Sequence, residues 1–131
     1  MHLLSLVEVL EEFVENAIEL SVIVARNEQG EICTFPTVEM AFDPKANLVD
    51  ILFAPANISE ATDQSAKAIA QKCIECLNGV GIFAVEMFLS QDGQILVNEI
   101  APRPHNSGHQ TIEGNITSQY AQHLRAIMGL P

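Results

Sequence analysis

The 131-residue chain has no tryptophan, and aromatic residues make up only 5% of it. Single-stranded nucleic acid is gripped by bases stacking on exposed aromatic rings, so the chain is poorly equipped for that task. Basic residues are equally scarce. Six Lys and Arg stand against seventeen Asp and Glu, giving a formal net charge of −11. Such an excess repels phosphate backbones and anionic membrane surfaces, which argues against nucleic acid or membrane as a partner. An anionic small molecule stays admissible, because a bound divalent cation reverses the local field. The opening stretch, Met1 to Val7, has no basic leader, and Glu8, Glu11, Glu12 and Glu15 soon interrupt it. It reads as neither a signal peptide nor a membrane span, and the expected compartment is the cytoplasm.

Paired cysteines are missing too. Three cysteines cannot all pair within one chain. Cys73 and Cys76 form a C-x-x-C, but they fall late in a helical pattern with no second ligand pair nearby. They read as small helix residues rather than a redox or zinc motif. Asn115-Ile116-Thr117 matches a glycosylation sequon that is silent without a secretory signal.

What is present is apolar material: 48% of residues are hydrophobic and the mean hydropathy is +0.21. This suits one packed domain or part of one. Strands are predicted at Leu6–Val14, Ile18–Arg26, Ile32–Phe35, Val38–Phe42 and Leu48–Ala54, with turns at Asn27–Gly30 and Asp43-Pro44. Ser59 is placed to cap a helix whose stripe is Ala66, Ile69, Ala70, Cys73 and Leu77, and Asn78-Gly79 ends it. Two more strands, Val80–Leu89 and Ile95–Ile100, flank Asp92-Gly93, a strong hairpin signal. Arg103–Asn115 reads as a loop and Ser118–Met128 as a final helix with Tyr120, Leu124, Ile127 and Met128 apolar. The expected class is α+β, an antiparallel sheet with helices packed on one face.

The hairpin carries the chemistry. With Asp92 and Gly93 as a two-residue loop, facing residue numbers sum to 185, and Glu86 and Glu99 satisfy that sum. Their Cβ atoms would then be about 5 Å apart. Val85, Met87, Leu89, Leu96 and Ile100 would line the opposite, core face. Like charges directly opposed in a sheet are destabilising. A solvated face, a shared proton or a bridging cation would relieve them, and Mg²⁺ on a nucleotide usually takes one or two carboxylates plus phosphate oxygens. Paired glutamates also serve glycosidases, but a cross-strand spacing leaves little room for a sugar. Immediately after Glu99 comes Ile100-Ala101-Pro102-Arg103-Pro104-His105-Asn106-Ser107-Gly108-His109. A polar surface loop could hold the same residues, but Arg103 beside His105 also forms a local anion trap in an otherwise acidic chain.

The run Asn98 to His109 closely resembles the signature of the N-carboxyaminoimidazole ribonucleotide synthetases, ATP-grasp ligases that form the ATPase subunit of phosphoribosylaminoimidazole carboxylase in purine biosynthesis. Val85-Glu86-Met87-Phe88 is similar to their first metal-ligand strand, and Glu11-Glu12-Phe13-Val14 to their adenine hinge. Glu19 to Arg26 and Ser118 to Pro131 continue the likeness, so nearly the whole chain is covered. The resemblance implies ATP- and bicarbonate-dependent carboxylation of the exocyclic amine of aminoimidazole ribonucleotide through carboxyphosphate. It implies that Glu86 and Glu99 hold Mg²⁺ on the ATP phosphates with Asn98 beside them. Glu11, Glu12, Phe13 and Val14 would meet the adenine and Glu19 the ribose. Arg103, His105, Asn106 and Ser107 would orient bicarbonate, carboxyphosphate or the substrate phosphate. Phe42 stands where the family often has a histidine. The family's N-terminal domain, lysine-bearing subdomain and C-terminal domain have no counterpart here, so residues 1–131 would be a partial ATP-grasp domain, inactive alone and prone to pair as a homodimer. Alternatives are another ATP-grasp carboxylase or ligase, and a non-catalytic nucleotide-binding or assembly module.

Overall fold

The computed structural model of the chain describes residues 13–43 and 48–131. Most of the expected first strand, Leu6–Val14, lies outside the described residues; Phe13 and Val14 are irregular. The elements run β1 (Ile18–Arg26), β2 (Ile32–Thr34), β3 (Val38–Asp43), β4 (Leu48–Phe53), α1 (Glu60–Leu77), β5 (Gly81–Leu89), β6 (Ile95–Ala101), α2 (Thr111–Gly114) and α3 (Gln119–Met128). A short 3-10 turn, Asn106–Gly108, precedes α2. The stretch expected as loop, Arg103–Asn115, thus contains two helical turns.

All strand pairs are antiparallel, in the order β4-β3-β1-β5-β6, with β2 also paired to β1. β1 is central because both its faces are apolar. Leu20, Val22 and Val24 point one way, Ile23 and Ala25 the other, and all are at most 2% exposed. Its nine residues pair with β5 from Ile18↔Leu89 to Arg26↔Gly81. Gly81 (φ +119°) lies where a Cβ would meet His123 of α3 at 2.9 Å, so this crossing needs glycine for backbone and for space.

α1 starts at Ser59, whose Oγ accepts from the Thr62 amide at 3.1 Å, and stops at Asn78, which takes the left-handed conformation (φ +51°). Its buried stripe is Ala66, Ala70 and Ile74, packed on Leu20, Val22, Val24, Val85 and Met87. Two alanines let the helix sit close to the sheet. Ile74 takes the position expected for Leu77, which is exposed. Below α1, the Thr37 hydroxyl donates to Asp63 at 2.5 Å and Lys67 pairs with Asp63 at 2.6 Å. Cys73 is half-buried against this core, while Cys33 and Cys76 are exposed, and all three are free thiols.

The antiparallel α+β architecture is as expected, but the helices divide between the faces. α1 covers the Leu20 face, whereas α3 packs at one end of the other, near Ala25 and the start of β5. A second cluster of Ile23, Ala25, Phe35, Ile82, Ala84 and Ala101 underlies that end. The rest of the face stays open. Among α3 side chains only Gln119 and Ala126 are buried; Tyr120, Leu124, Ile127 and Met128 are exposed.

Candidate metal and nucleotide site

The open face is polar because three strands deliver polar residues to one row. Ser21 of β1 faces Glu86 of β5, and Glu86 faces Glu99 of β6. The expected pairing of the glutamates is therefore present, but its premise is not. Ser90 and Gln94 close a three-residue loop, with the Ser90 amide donating to the Gln94 carbonyl at 2.9 Å and Gly93 at φ +84°. Facing numbers then sum to 184: Leu89↔Ile95, Phe88↔Leu96 and Met87↔Val97. A bulge between Met87 and Glu86 inserts Asn98 and brings the sum back to 185 at Glu86↔Glu99. Two residues thus oppose Glu86, a bulge's usual means of re-aiming a side chain. The slip also moves Leu96 off the core face: Ile95 packs against the core in its place, while Leu96 is 42% exposed beside Phe88.

One oxygen from each of Glu86 and Glu99 and one ring nitrogen of His105 lie within 4.8 Å of one another. His105 is buried and Glu86 largely so, with Nε2 of the ring 3.1 Å from Oε1 of the carboxylate; Glu99 is exposed. The other ring nitrogen, Nδ1, is 2.9 Å from the Ser107 hydroxyl, which is 2.7 Å from the buried hydroxyl of Ser21. Both nitrogens of His105 are therefore engaged within the protein. Glu19, two residues before Ser21, shares this face. Burial pushes its carboxyl above the ordinary value, and the charge of Glu86 pushes the same way.

The loop is held from behind by α3. Gln119 is fully buried, and its side-chain amide accepts from His105 N–H at 2.9 Å and donates to His105 C=O at 2.7 Å. The Gln119 backbone N–H donates to Thr111 Oγ1 at 2.9 Å, and that hydroxyl donates to the Gly108 carbonyl at 2.5 Å. A Cβ on Gly108 would stand 2.4 Å from Gln119 Oε1. Since that oxygen is fixed, any larger residue there would dislodge the loop. Sequence reading missed Ser21, Thr111 and Gln119; their partners lie 86, 8 and 14 residues away, and nothing local marks them.

Of the remaining expected residues, Arg103 is exposed, with its guanidinium donating to the Pro104 carbonyl at 3.2 Å, and Asn106 is exposed with its side-chain oxygen accepting from Ser107 N–H at 3.1 Å. Asn98 lies apart from the loop, in a groove of about 450 Å³ with Phe13, Val14, Phe88 and Leu96. The adjoining groove adds Glu19 and Asn16. Phe13 offers an apolar face at 83% exposure. Glu11, Glu12 and the Phe42 side chain lie outside the described residues. The two carboxylate oxygens close together suit a hard divalent cation, and the groove beside them suits a flat apolar ring.

A family model of the ATP-grasp domain matches residues 4–120. N5-carboxyaminoimidazole ribonucleotide synthase of Bacillus subtilis is 50% identical over 123 residues, 94% of this chain and 32% of that protein. The crystal structure of N5-carboxyaminoimidazole ribonucleotide synthetase from Thermotoga maritima matches at 57% identity and a TM-score of 0.82, over 92% of this chain and 31% of that one. The Aspergillus clavatus synthase, solved with ADP and 5-aminoimidazole ribonucleotide, matches at 45% identity and a TM-score of 0.81, over 87% and 30%. The chain thus spans about a third or less of the relatives it matches.

Proposed function

Because the chain belongs to the ATP-grasp family, we propose that it carries the nucleotide- and cation-binding part of a ligase that uses ATP and bicarbonate to carboxylate aminoimidazole ribonucleotide. The observation that carries this reading is the opposed pair Glu86 and Glu99, an arrangement costly in a sheet that a divalent cation between the two carboxylates would relieve. Support for the substrate comes from the names of the relatives matched along nearly all of this chain.

In this reading Glu86 and Glu99 hold Mg²⁺, which when bound neutralises phosphate charge on ATP. The chain's own residues do the rest by positioning, the main source of catalysis in phosphoryl transfer. Phe13 and Val14 form the adenine side of the groove, and Glu11 and Glu12, which precede them in sequence, are proposed to belong to the same hinge. Glu19 reaches the ribose and Asn98 the phosphate end. Arg103 and Asn106, exposed at the loop, meet bicarbonate, carboxyphosphate or the substrate phosphate. His105 and Ser107 serve them from beneath by fixing the loop and Glu86. The chain is part of a longer ATP-grasp protein in this proposal and is inactive alone. The exposed apolar stripe of α3 favours self-association as a symmetric dimer, which sedimentation in 0.15 M salt would detect.

The test is ADP formation by the protein containing this domain, assayed with and without bicarbonate and aminoimidazole ribonucleotide. Dependence on both is expected. Turnover indifferent to aminoimidazole ribonucleotide would assign the site to another ATP-grasp ligase, and none at all to a non-catalytic module.

A further inference from the structure

β6 ends at Ala101, and neither Pro102 nor Pro104 has an N–H with which to carry its ladder further. His105 nevertheless keeps an extended backbone (φ −127°, ψ 153°) and is only 6% exposed, so its N–H and C=O need partners inside the protein. The side chain of Gln119 meets both, accepting from the N–H at 2.9 Å and donating to the C=O at 2.7 Å. We propose that Gln119 is a positioning residue for the reaction: its amide acts as a one-residue strand that sets Arg103 and Asn106 for the anionic substrates, independently of the nucleotide groove. The inference rests on the substrate reading given above and adds to it a residue and a division of labour between two ends of the site.

A side-chain amide presents a donor and an acceptor side by side, as a residue of a neighbouring strand does. Gln119 is itself held in register. Its backbone N–H donates to Thr111 Oγ1, that hydroxyl donates to the Gly108 carbonyl, and the Gly108 N–H donates to the His105 carbonyl at 3.0 Å. The bonds close a circuit through His105, Gln119, Thr111 and Gly108, and all four residues are buried. Gly108 completes the fit, because a Cβ there would collide with Gln119 Oε1. Shape and bonding thus both single out this amide, at the first turn of α3, as the group that fixes His105.

The exposed side chains on either side of His105 are anchored through it. Arg103 donates to the Pro104 carbonyl and Asn106 accepts from the Ser107 N–H, so both are tied to the loop's own backbone and go where it goes. Phe88 and Asn98, which line the nucleotide groove, stand instead on β5 and β6, whose pairing ends before the loop. A loop released by loss of the Gln119 amide therefore misplaces the groups that meet bicarbonate and aminoimidazole ribonucleotide and leaves the groove as it was.

The experiment compares three variants of the protein containing this domain. Gln119→Met keeps the length of the side chain without its amide, Gly108→Ala leaves Gln119 in place but crowds its oxygen, and Leu20→Ala is a control that weakens the core alone. In the first two, kcat/KM for bicarbonate and for aminoimidazole ribonucleotide is expected to fall roughly a hundredfold, the scale of a misplacement of about 1 Å, while the Kd of ADP stays unchanged. Leu20→Ala is expected to lower the urea midpoint without this split. Loss of ADP affinity in step with the kinetic loss, or the same split in Leu20→Ala, would make Gln119 a structural residue only and overturn the proposal. Unaltered kinetics in the first two variants would overturn it as well. Where Gln119→Met does not fold, Gly108→Ala decides. Hydrogen exchange on the ligand-free protein tests the clamp whatever the substrate: the His105 N–H should exchange faster in Gln119→Met while the β1 amides hold. An equally protected His105 N–H refutes the clamp, whereas turnover of the unaltered protein that ignores aminoimidazole ribonucleotide refutes the substrate reading instead.

Discussion

The two faces of β1 and β5 use one backbone for opposite ends. On the α1 side, Leu20, Val22, Val85 and Met87 are 1% exposed or less and interlock with Ala66, Ala70 and Ile74. On the other side, one residue out of step, the same strands present Glu19, Ser21 and Glu86, and β6 adds Glu99. The first face gathers the apolar burial that stabilises the domain. The second concentrates three carboxylates whose mutual repulsion works against folding. A site of this kind is possible only because its reverse side is so thoroughly packed.

The comparison breaks most severely at Leu20. Leu20→Ala removes a fully buried side chain and should cost about 2–5 kcal/mol, read as a lower urea midpoint with cation binding retained wherever the chain stays folded. Next in size is Glu99→Gln, which removes a proposed ligand from an exposed position. Calorimetric Mn²⁺ or Mg²⁺ affinity should fall on the order of tenfold, or about 1.4 kcal/mol, while metal-free stability holds or rises slightly. A smaller effect is expected at Asp63. Burial alone would raise its carboxyl, but the bonds from Lys67 and Thr37, with the charge of Lys67, outweigh burial and hold it below the ordinary carboxylate range. Its stabilising contribution is thus present above the unfolded carboxyl range and lost as pH falls through the lower folded value. Asp63→Asn should lower Tm at neutral pH, and the gap to the unaltered chain should close on acidification.

The smallest effect sharpens the contrast. The raised carboxyl of Glu19 means that ionising it in the folded chain opposes folding, so its cost is complete at neutral pH and vanishes below the unfolded carboxyl range. Glu19→Gln should therefore raise Tm slightly at neutral pH, with no gain in acid, and weaken nucleotide binding if the ribose role is right. A loss of stability at neutral pH would contradict this account of the face.

Much of the scaffold could be read from punctuation. Asn27–Gly30, Ser59 and Asn78-Gly79 mark element ends because a turn, a cap and a left-handed residue each demand particular chemistry. The glutamate pair was legible too, although by a route the structure does not follow: three-residue loop and bulge each shift the register, and bulges have no dependable sequence mark. Leu96 shows the cost of that blind spot, having been assigned to the wrong face. Ser21 and Gln119 were invisible for another reason. A serine within Leu-Ser-Val-Ile-Val and a glutamine opening a helix look ordinary, and only tertiary folding reveals their buried partners.

The bulge at Asn98 and the hairpin tip act together by parity. In a ladder of period two, one extra residue inverts every side chain beyond it. An odd hairpin tip makes the first inversion and the bulge the second, so the two cancel at Glu99 while Ile95 and Leu96 remain between them. With the tip alone, Glu99 would turn toward the core opposite Val85, and Ile100 would leave it. A two-residue tip, with Gln91 drawn into the ladder opposite Gln94, would give an unbroken ladder that keeps Glu99 opposite Glu86 but sets Asn98 opposite Met87, an amide on the apolar side. Only the pair of offsets puts both Asn98 and Glu99 on the ligand face. The number of residues in a surface loop is thereby part of the site's specification, although none of them lines the grooves beside Asn98.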